Sequence, residues 1–198
     1  LKKGRTAIML VPEIALTPQM LGQLRARFEG SVSILHSGLS AGERYDEWLK
    51  LKTGESKIAI GARSAIFAPL ENVGIIIVDE EHDSSYDAET SPRYKTVEIA
   101  IKRAAETGAK VVLGSATPSI ESYDKALSGE YNLAEMKTRI NGKQLPEFIV
   151  ADMRKEIRRG NASIFSADLR DGLEDCLKNG NQAIVFYNRR GYSRQVIC

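Results

Sequence analysis

The chain has 198 residues, of which 42% are hydrophobic, and its 28 basic and 26 acidic side chains give a formal net charge of +2. No apolar run approaches the roughly 18 residues that span a bilayer, and two cysteines are too few for a disulfide framework. Composition therefore disfavours membrane and secreted proteins, and we expect a cytoplasmic globular protein with one good core or two small ones.

Five short apolar segments alternate with helical patterns over the first two thirds of the chain. The predicted strands cover residues 6–11, 32–35, 57–60, 74–79 and 110–113. Helix starts are predicted at Thr17-Pro18, at the capping box from Ser40 to Glu43, and at Thr117-Pro118. Such alternation builds a doubly wound parallel sheet, which we predict over residues 1–136.

Residues 137–146 read as a linker, because they lack apolar periodicity and contain Asn-Gly and a proline. Beyond them, a strand at 147–151, a helix at 166–179 and a strand at 182–187 predict the N-terminal part of a second α/β lobe over 147–198. These elements are too few to close a sheet, so we expect this lobe to be cut short.

Charge is spread unevenly along the chain. Residues 1–136 carry 16 basic and 19 acidic side chains, whereas residues 137–198 carry 12 and 7. A basic C-terminal part suits a nucleic-acid backbone, although an ordinary solvated surface explains the same bias.

The sequence IIIVDEEH at 75–82 delivers Asp79, Glu80 and His82 to the end of a buried strand. Ligands of open α/β sheets bind beyond the carboxyl ends of the strands. A nucleotide-hydrolysing site needs one carboxylate to hold Mg²⁺ against the phosphates and a second to orient the attacking water. An acidic strand-to-loop transition is the alternative.

The sequence GSATPS at 114–119 follows the next predicted strand. Its hydroxyl groups, those of Ser115 and Thr117, would therefore lie beside Asp79 and Glu80 at one edge of the sheet. Two polar sites on adjacent strand ends favour a functional site over chance.

Three segments occur in the order of helicase motifs Ia, II and III of superfamily 2: VPEIALTPQ at 11–19, IIIVDEEH at 75–82 and GSATPS at 114–119. A longer set of segments follows the order found in one helicase family: VPEIALTPQ at 11–19, ILHSGLS at 34–40, IAIGARSAIFAPL at 58–70, IIIVDEEHDSSY at 75–86, GSATPS at 114–119 and FYNRRGY at 186–192. On these segments the chain resembles the primosomal protein N′ (PriA) family of bacterial replication-restart DNA helicases. The resemblance runs from residue 9 to 198 and is loose over 128–165.

The resemblance implies a RecA-like fold and a parent protein that couples hydrolysis of ATP, with Mg²⁺, to 3′-to-5′ unwinding of DNA. It implies single-stranded and branched fork DNA as substrates. The implied protein partners are primosome proteins, the replicative helicase loader and the single-stranded DNA-binding protein.

For the nucleotide site, the resemblance makes Asp79 the Mg²⁺ ligand, Glu80 the residue that orients water, and His82 a link to the DNA site. Ser115 and Thr117 would bond to Asp79, Glu80 or His82 and transmit the nucleotide state. The alternatives are a hydrogen-bonded surface histidine for His82, and capping of the helix that Pro118 opens for the two hydroxyls.

For DNA, residues 83–94 resemble the family's aromatic-rich loop. Tyr86 and Tyr94 would stack on bases and Arg93 would reach a phosphate, unless the tyrosines pack on their own lobe. Two acids in this loop, Asp87 and Glu89, count against DNA affinity.

Three further segments are candidate DNA contacts, and for the first two a purely structural role is the alternative. Arg63 and Ser64 would hold the backbone, or form a plain turn. Thr17 and Gln19 would attract a phosphate at a helix N-terminus, or simply cap it. Arg189 and Arg190, between Asn188 and Tyr192, match a second-lobe motif that we assign to DNA or to contacts across the cleft.

The remaining candidates are expected to be structural. We expect His36 to be structural, Trp48 to be part of the core, and Cys176 to be a small buried apolar residue. Cys198 matches the first cysteine of the family's zinc module. One ligand cannot build a tetrahedral site, so zinc is expected only in the full-length parent.

No G-x-x-x-x-G-K-[ST] phosphate-binding loop occurs in the chain. The resemblance places that loop upstream of Leu1, so we expect the chain alone neither to hydrolyse ATP at a useful rate nor to unwind DNA. Two other functions stay open: a different superfamily 2 motor, and a non-catalytic DNA-binding or primosome-interaction module with an incomplete ATPase lobe. The intact Asp79-Glu80 pair speaks against the module.

Overall fold

A computed structural model describes residues 4–12, 16–28, 30–138, 142 and 146–187. It divides into a first unit, Leu1–Glu135, and a second unit, Met136–Cys198.

The first unit is built on a five-stranded, all-parallel sheet in the order β2-β3-β1-β4-β5. The strands are β1 (Thr6–Leu10), β2 (Val32–Leu35), β3 (Ile58–Gly61), β4 (Val73–Val78) and β5 (Lys110–Leu113). All five predicted strands are confirmed, with boundaries that differ by no more than one residue.

The carboxyl ends of the five strands lie level. Leu10 pairs with Gly61 on one side and with Val78 on the other, and these pair onward with Leu35 and Leu113. The level ends place the segments that follow each strand along one edge of the sheet.

Gly61 is required by the close approach of β2 and β3. A Cβ atom at this position would lie 2.1 Å from the backbone oxygen of Leu35. Only glycine fits there, and the chain can then turn sharply into Ala62 and Arg63.

Four α-helices accompany the sheet: α1 (Pro18–Arg27), α2 (Ala41–Thr53), α3 (Thr96–Thr107) and α4 (Ile120–Leu127). Two 3-10 helices, Arg63–Phe67 and Ser84–Tyr86, follow β3 and β4. The predicted starts of α1 and α2 are confirmed, since Thr17 accepts from the N–H of Met20 and Ser40 forms a complete capping box with Glu43.

Apolar side chains cover both faces of the central strand β1. Ile8 and Leu10 are buried in a cluster with Ile76, Val78 and the α3 residues Ala100 and Ala104. Ala7 and Met9 pack in a second cluster with Ile34, Ile60 and the α1 residues Met20 and Leu24. The doubly wound arrangement is thereby confirmed.

Two charged side chains tie helices of the first unit to neighbouring segments: Glu47 ties α2 to β2, and Arg103 ties α3 to the first 3-10 helix and the residues after it. Glu47 on α2 accepts from the backbone N–H of Ile34 at 3.0 Å and from Lys50 at 2.8 Å. Arg103 on α3 donates to the backbone oxygens of Ile66, Ala68 and Leu70, and burial lowers the pKa of Arg103.

The second unit contains α5 (Met153–Arg158) and α6 (Ala167–Lys178), the latter capped by Ser166 as predicted. The predicted strands at 147–151 and 182–187 are wrong, because none of those residues is in a strand. Val150 is 93% exposed and Ile184 98%. Since no strand occurs among the described residues of this unit, these β-branched segments have no neighbour with which to pair.

None of the helices among the described residues is long and apolar enough to cross a membrane.

Candidate functional site

Asp79 is the first residue beyond β4, and its backbone is bonded to the central strand β1. Its backbone N–H donates to the oxygen of Leu10 on β1 at 2.9 Å. Its Oδ1 atom accepts from the N–H of Glu80 at 3.2 Å, and the residue is partly exposed. The carboxylate therefore faces the edge where a ligand of the sheet would bind.

Glu80 has a left-handed backbone, with a φ of 48°. Its side chain is 48% exposed, and its Oε2 atom lies 3.7 Å from Nδ1 of His82. A non-glycine residue in this conformation costs on the order of 1–3 kcal/mol, and such strain clusters at functional sites.

His82 joins the turn after β4 to the turn after β5. Its Nδ1 atom lies 2.6 Å from Oγ of Ser115, and its Nε2 atom lies 3.4 Å from Oγ1 of Thr117. Asp79, Glu80 and His82 were the predicted partners of these two hydroxyls, and in the structure both hydroxyls lie next to His82.

Glu81 is an anchoring residue that the sequence alone does not single out, although it lies between Glu80 and His82. Its side chain is buried, and its carboxylate accepts from the N–H of Ser119 at 2.6 Å, from the hydroxyl of Ser119 at 3.0 Å and from the hydroxyl of Ser122 at 2.9 Å. Its own N–H donates to the oxygen of Gly114 at 3.0 Å. The Ser-x-x-Ser spacing at 119–122 was the available signal.

These contacts explain why α4 does not begin where the sequence predicts. The helix starts at Ile120 with Ser119 as its N-cap, and Pro118 lies outside it. Glu81 holds the N–H of Ser119, while Ser115 Oγ accepts from the N–H of Thr117 at 3.0 Å. The prediction that Pro118 opens the helix, with Ser115 and Thr117 as its caps, is therefore wrong.

Tyr86 anchors the loop after the acidic turn. It is 2% exposed, and its hydroxyl donates to the backbone oxygen of Asp79 at 2.8 Å. Burial, together with the negative charges of Asp79, Asp83 and Glu80, raises the pKa of Tyr86, which keeps the phenol protonated as a donor. A buried ring offers no face to a base, so we correct the prediction that Tyr86 stacks on DNA.

Tyr94 and Arg63 meet at the surface of the same loop. The ring of Tyr94 packs edge-on against Phe67 at a centroid distance of 5.3 Å, and Arg63 lies 5.8 Å from its centroid. Arg63 also donates to the oxygens of Ser85, at 3.4 Å, and Asp87, at 2.6 Å. Both side chains thus have packing roles on their own unit, and the DNA roles predicted for them stay predictions.

Four other predicted DNA contacts are exposed: Thr17, Gln19, Ser64 and Arg93. Thr17 caps α1, and Nε of Arg93 donates to the oxygen of Glu89 at 3.0 Å. Ser64 lies in the first 3-10 helix. Arg189, Arg190 and Cys198 lie outside the described residues, as do Asn188 and Tyr192.

The side chains that were expected to be structural differ in outcome. His36 makes a local contact, accepting from the N–H of Gly38 at 3.2 Å. Trp48 is 40% exposed, so its prediction as a core residue is wrong. Cys176 is only partly buried, which corrects the prediction of full burial.

A metal site built from protein ligands alone is not found among the described residues, where no group of three or more His, Cys, Asp or Glu side chains could hold an ion. Mg²⁺ in nucleotide sites takes only one or two carboxylates besides phosphates and water, so Asp79 fits that ion. Structural zinc needs four ligands, which the described residues do not supply.

Comparison with known protein families identifies the kind of domain to which this sheet edge belongs. A family model described as DEAD/DEAH box helicase matches residues 1–126. The chain belongs to the DEAD/DEAH box helicase family. The acidic turn after β4 and the hydroxyl turn after β5 are therefore parts of a helicase domain.

Curated relatives of this helicase chain carry one name. "Replication restart protein PriA" of Bacillus subtilis (strain 168) is 54% identical over 198 residues, which is 100% of this chain and 25% of the relative. Proteins of the same name from Synechocystis sp. and Chlamydia pneumoniae are 44% and 42% identical, again over 100% of this chain and over 24% and 27% of their own lengths. The chain spans about a quarter of the length of these relatives.

Among solved structures, the helicase chain is similar to two C-terminal domains of the DEAD-box protein Dbp5. One is from S. cerevisiae, bound to Gle1 and IP6, with 19% identity and a TM-score of 0.39 over 64% of this chain and 71% of that one. The other has 20% identity and a TM-score of 0.43 over 65% of this chain and 72% of that one.

Proposed function

We propose that this chain supplies the catalytic carboxylates of the ATP site in an ATP-dependent DNA helicase that acts in replication restart. The observation that carries the proposal is the joined pair of turns at one sheet edge: Asp79 and Glu80 after β4, held through His82 to Ser115 and Thr117 after β5. Such an arrangement suits a nucleotide site, because a change at the carboxylates can be passed through His82 to the turn after β5.

In this proposal, Asp79 would hold Mg²⁺, which neutralises charge on the phosphates of bound ATP. The carboxylate of Glu80 would orient the attacking water and accept its proton. The bond from the Asp79 N–H to β1 fixes the first carboxylate relative to the sheet, and the constrained backbone of Glu80 fixes the second relative to the first.

His82 would carry the change in the nucleotide to the rest of the protein. Its Nδ1 atom lies 3.7 Å from the Glu80 carboxylate and 2.6 Å from the hydroxyl of Ser115, and its Nε2 atom lies 3.4 Å from the hydroxyl of Thr117. A shift of Glu80 on hydrolysis would therefore reach the turn that leads into α4.

The wider role is proposed from the relatives' printed name, replication restart. We propose 3′-to-5′ unwinding, binding of single-stranded and forked DNA, and cytoplasmic action with primosome proteins, a replicative helicase loader and a single-stranded DNA-binding protein. Zinc would belong to the longer parent, with Cys198 as one ligand.

Phosphate release measured with malachite green tests the proposal. We expect DNA-stimulated release from the longer protein and none from residues 1–198, in which no phosphate-binding loop occurs. Strand displacement from 3′-tailed and 5′-tailed duplexes would then report polarity. Absence of DNA-stimulated release from the longer protein would refute the proposed function, and release from residues 1–198 would refute the assignment of only the carboxylates to this chain.

A further inference from the structure

A concave site lies at the same edge of the sheet as the acidic turn, beside the ends of β2 and β3. This cavity has a volume of about 740 Å³ and we call it the α2 pocket. It lies between α2 and the first 3-10 helix, and its main lining side chains are those of His36, Arg44, Trp48, Arg63, Ser64 and Phe67.

The α2 pocket combines aromatic faces with positive charge. Trp48 is 40% exposed and Phe67 55%, although both are large apolar side chains. Tyr45, which does not line the pocket, stacks on Trp48 at a centroid distance of 6.2 Å and an interplanar angle of 19°. Two guanidinium groups line the pocket, and none of the described residues that line it is acidic.

The pocket is also joined to the acidic turn by hydrogen bonds. Ser85 lines it, and Arg63 donates to the backbone oxygens of Ser85 and Asp87. Between these two residues, Tyr86 donates to the backbone oxygen of Asp79. An occupant of the pocket would therefore contact side chains that are bonded to the segment carrying the carboxylates.

We propose that the α2 pocket binds one nucleotide of single-stranded DNA, with its base on Trp48 and its phosphate at Arg44. Exposed aromatic faces beside guanidinium groups are the chemistry that takes unpaired bases irrespective of sequence. A duplex does not fit this chemistry because its bases are stacked on one another. The inference rests on the proposed function, since it names where that helicase holds part of its DNA substrate.

Trp48 is the single tryptophan of the chain, so intrinsic fluorescence reports on this pocket directly. Residues 1–198 are titrated with a 20-nucleotide oligo(dT), and tryptophan emission is compared with the anisotropy of the same oligonucleotide carrying fluorescein. We expect emission to be quenched with the midpoint given by anisotropy. An oligomer of abasic deoxyribose phosphates should quench at least tenfold less effectively, since it offers no base to stack.

The outcomes separate the pocket from the proposed function. If anisotropy shows binding without a change in tryptophan emission, or if there is no binding at all, the proposal that the α2 pocket binds a nucleotide is wrong. The helicase proposal is tested separately, by phosphate release from the longer protein. Equal quenching by the abasic oligomer or by poly-glutamate shows a general anion site, which also overturns the pocket.

Two matched pairs of variants localise the contact. Trp48→Leu should weaken oligo(dT) binding roughly tenfold, whereas Tyr123→Leu on α4, with a similar 41% exposure, should change it less than about twofold. Arg44→Gln should weaken binding and reduce its salt dependence, unlike Lys102→Gln on the exposed surface of α3. Thermal melts followed by circular dichroism verify that each variant is folded. Equal effects within each pair would contradict the assignment.

Discussion

The Nδ1 atom of His82 and the hydroxyl of Ser115 are 2.6 Å apart, although the residues belong to turns that follow different strands. Ser115 Oγ also accepts from the N–H of Thr117, whose own hydroxyl lies 3.4 Å from the other ring nitrogen of His82. Both nitrogens of the histidine ring therefore contact the turn after β5, and we expect a displacement of either turn to displace the other.

Ser115→Ala should uncouple hydrolysis from unwinding in the longer protein. The variant removes the short contact to His82 but leaves both carboxylates in place. We expect strand displacement to fall about tenfold more than DNA-stimulated ATP hydrolysis, which is within the usual range of coupling free energies. Ser128→Ala is the control, because that hydroxyl donates only to the backbone of Lys125. Equal losses of hydrolysis and unwinding in Ser115→Ala would argue against a relay through His82.

Glu81→Gln should loosen the start of α4. The amide keeps the size of the side chain but removes the negative charge that accepts three hydrogen bonds from Ser119 and Ser122. We expect a loss of about 2–4 kcal/mol in the free energy of unfolding, measured by urea denaturation, with faster amide exchange over residues 119–123. Glu121→Gln, an exposed acid on the same helix, should cost less than about 1 kcal/mol. A loss at Glu81 no larger than that at Glu121 would contradict the anchoring role.

The structure gives Tyr86 an anchoring role in the first unit in place of the predicted base-stacking role. Tyr86→Phe should destabilise the first unit by about 0.5–1.5 kcal/mol, because the bond to the Asp79 oxygen is lost while the ring still fills its site. An unchanged free energy of unfolding in Tyr86→Phe, measured by urea denaturation, would contradict the anchoring role of this hydroxyl.

The first unit could be predicted from sequence because its signals are local. Runs of apolar residues in β1 to β5, the Thr17 cap and the Ser40 capping box each specify an element within a few residues. The contacts of Glu81 could not be predicted, because the sheet brings Ser119 to it from 38 residues away. The bond of Tyr86 spans only seven residues, but it forms with a backbone oxygen whose position depends on how the chain leaves β4. The Thr-Pro pair at 117–118 predicted a helix start there, but the contact of Ser119 with Glu81 places the start of α4 at Ile120.

In the second unit, local sequence patterns predicted strands that the structure does not contain among its described residues. The segments at 147–151 and 182–187 have strand-like composition, but a strand also needs a neighbour for its backbone groups. Local composition is correct only when such a neighbour is available, whereas the helix from Ala167 to Lys178 satisfies its own backbone and was predicted correctly.

Acidification should weaken the contact between α2 and β2. Burial alone would raise the pKa of Glu47, but hydrogen bonds from Lys50 and from the N–H of Ile34 outweigh it and hold the pKa below its ordinary value. A carboxyl group with a lowered folded-state pKa stabilises the fold above its unfolded pKa of about 4.3 and loses that contribution as pH falls through the folded value.

The Glu47→Gln variant tests this dependence. We expect it to be roughly 1 kcal/mol less stable than wild type at pH 7, and the difference to shrink as pH falls below about 4.3. Thermal melts between pH 7 and 3 measure the difference, with Glu55→Gln, an exposed acid, as control. A difference that is constant with pH would contradict the role of the charge.

The central claim is that Glu80 serves the chemistry of ATP hydrolysis, whereas the adjacent Glu81 serves the fold. The same change at both positions in the longer protein, Glu80→Gln and Glu81→Gln, tests it most directly when steady-state ATP hydrolysis and binding of a fluorescent ATP analogue are measured below the melting temperature of both variants. We expect Glu80→Gln to lower kcat at least about 100-fold with nucleotide binding retained, and Glu81→Gln to keep most of its kcat. Hydrolysis by Glu80→Gln within a few-fold of wild type would contradict it.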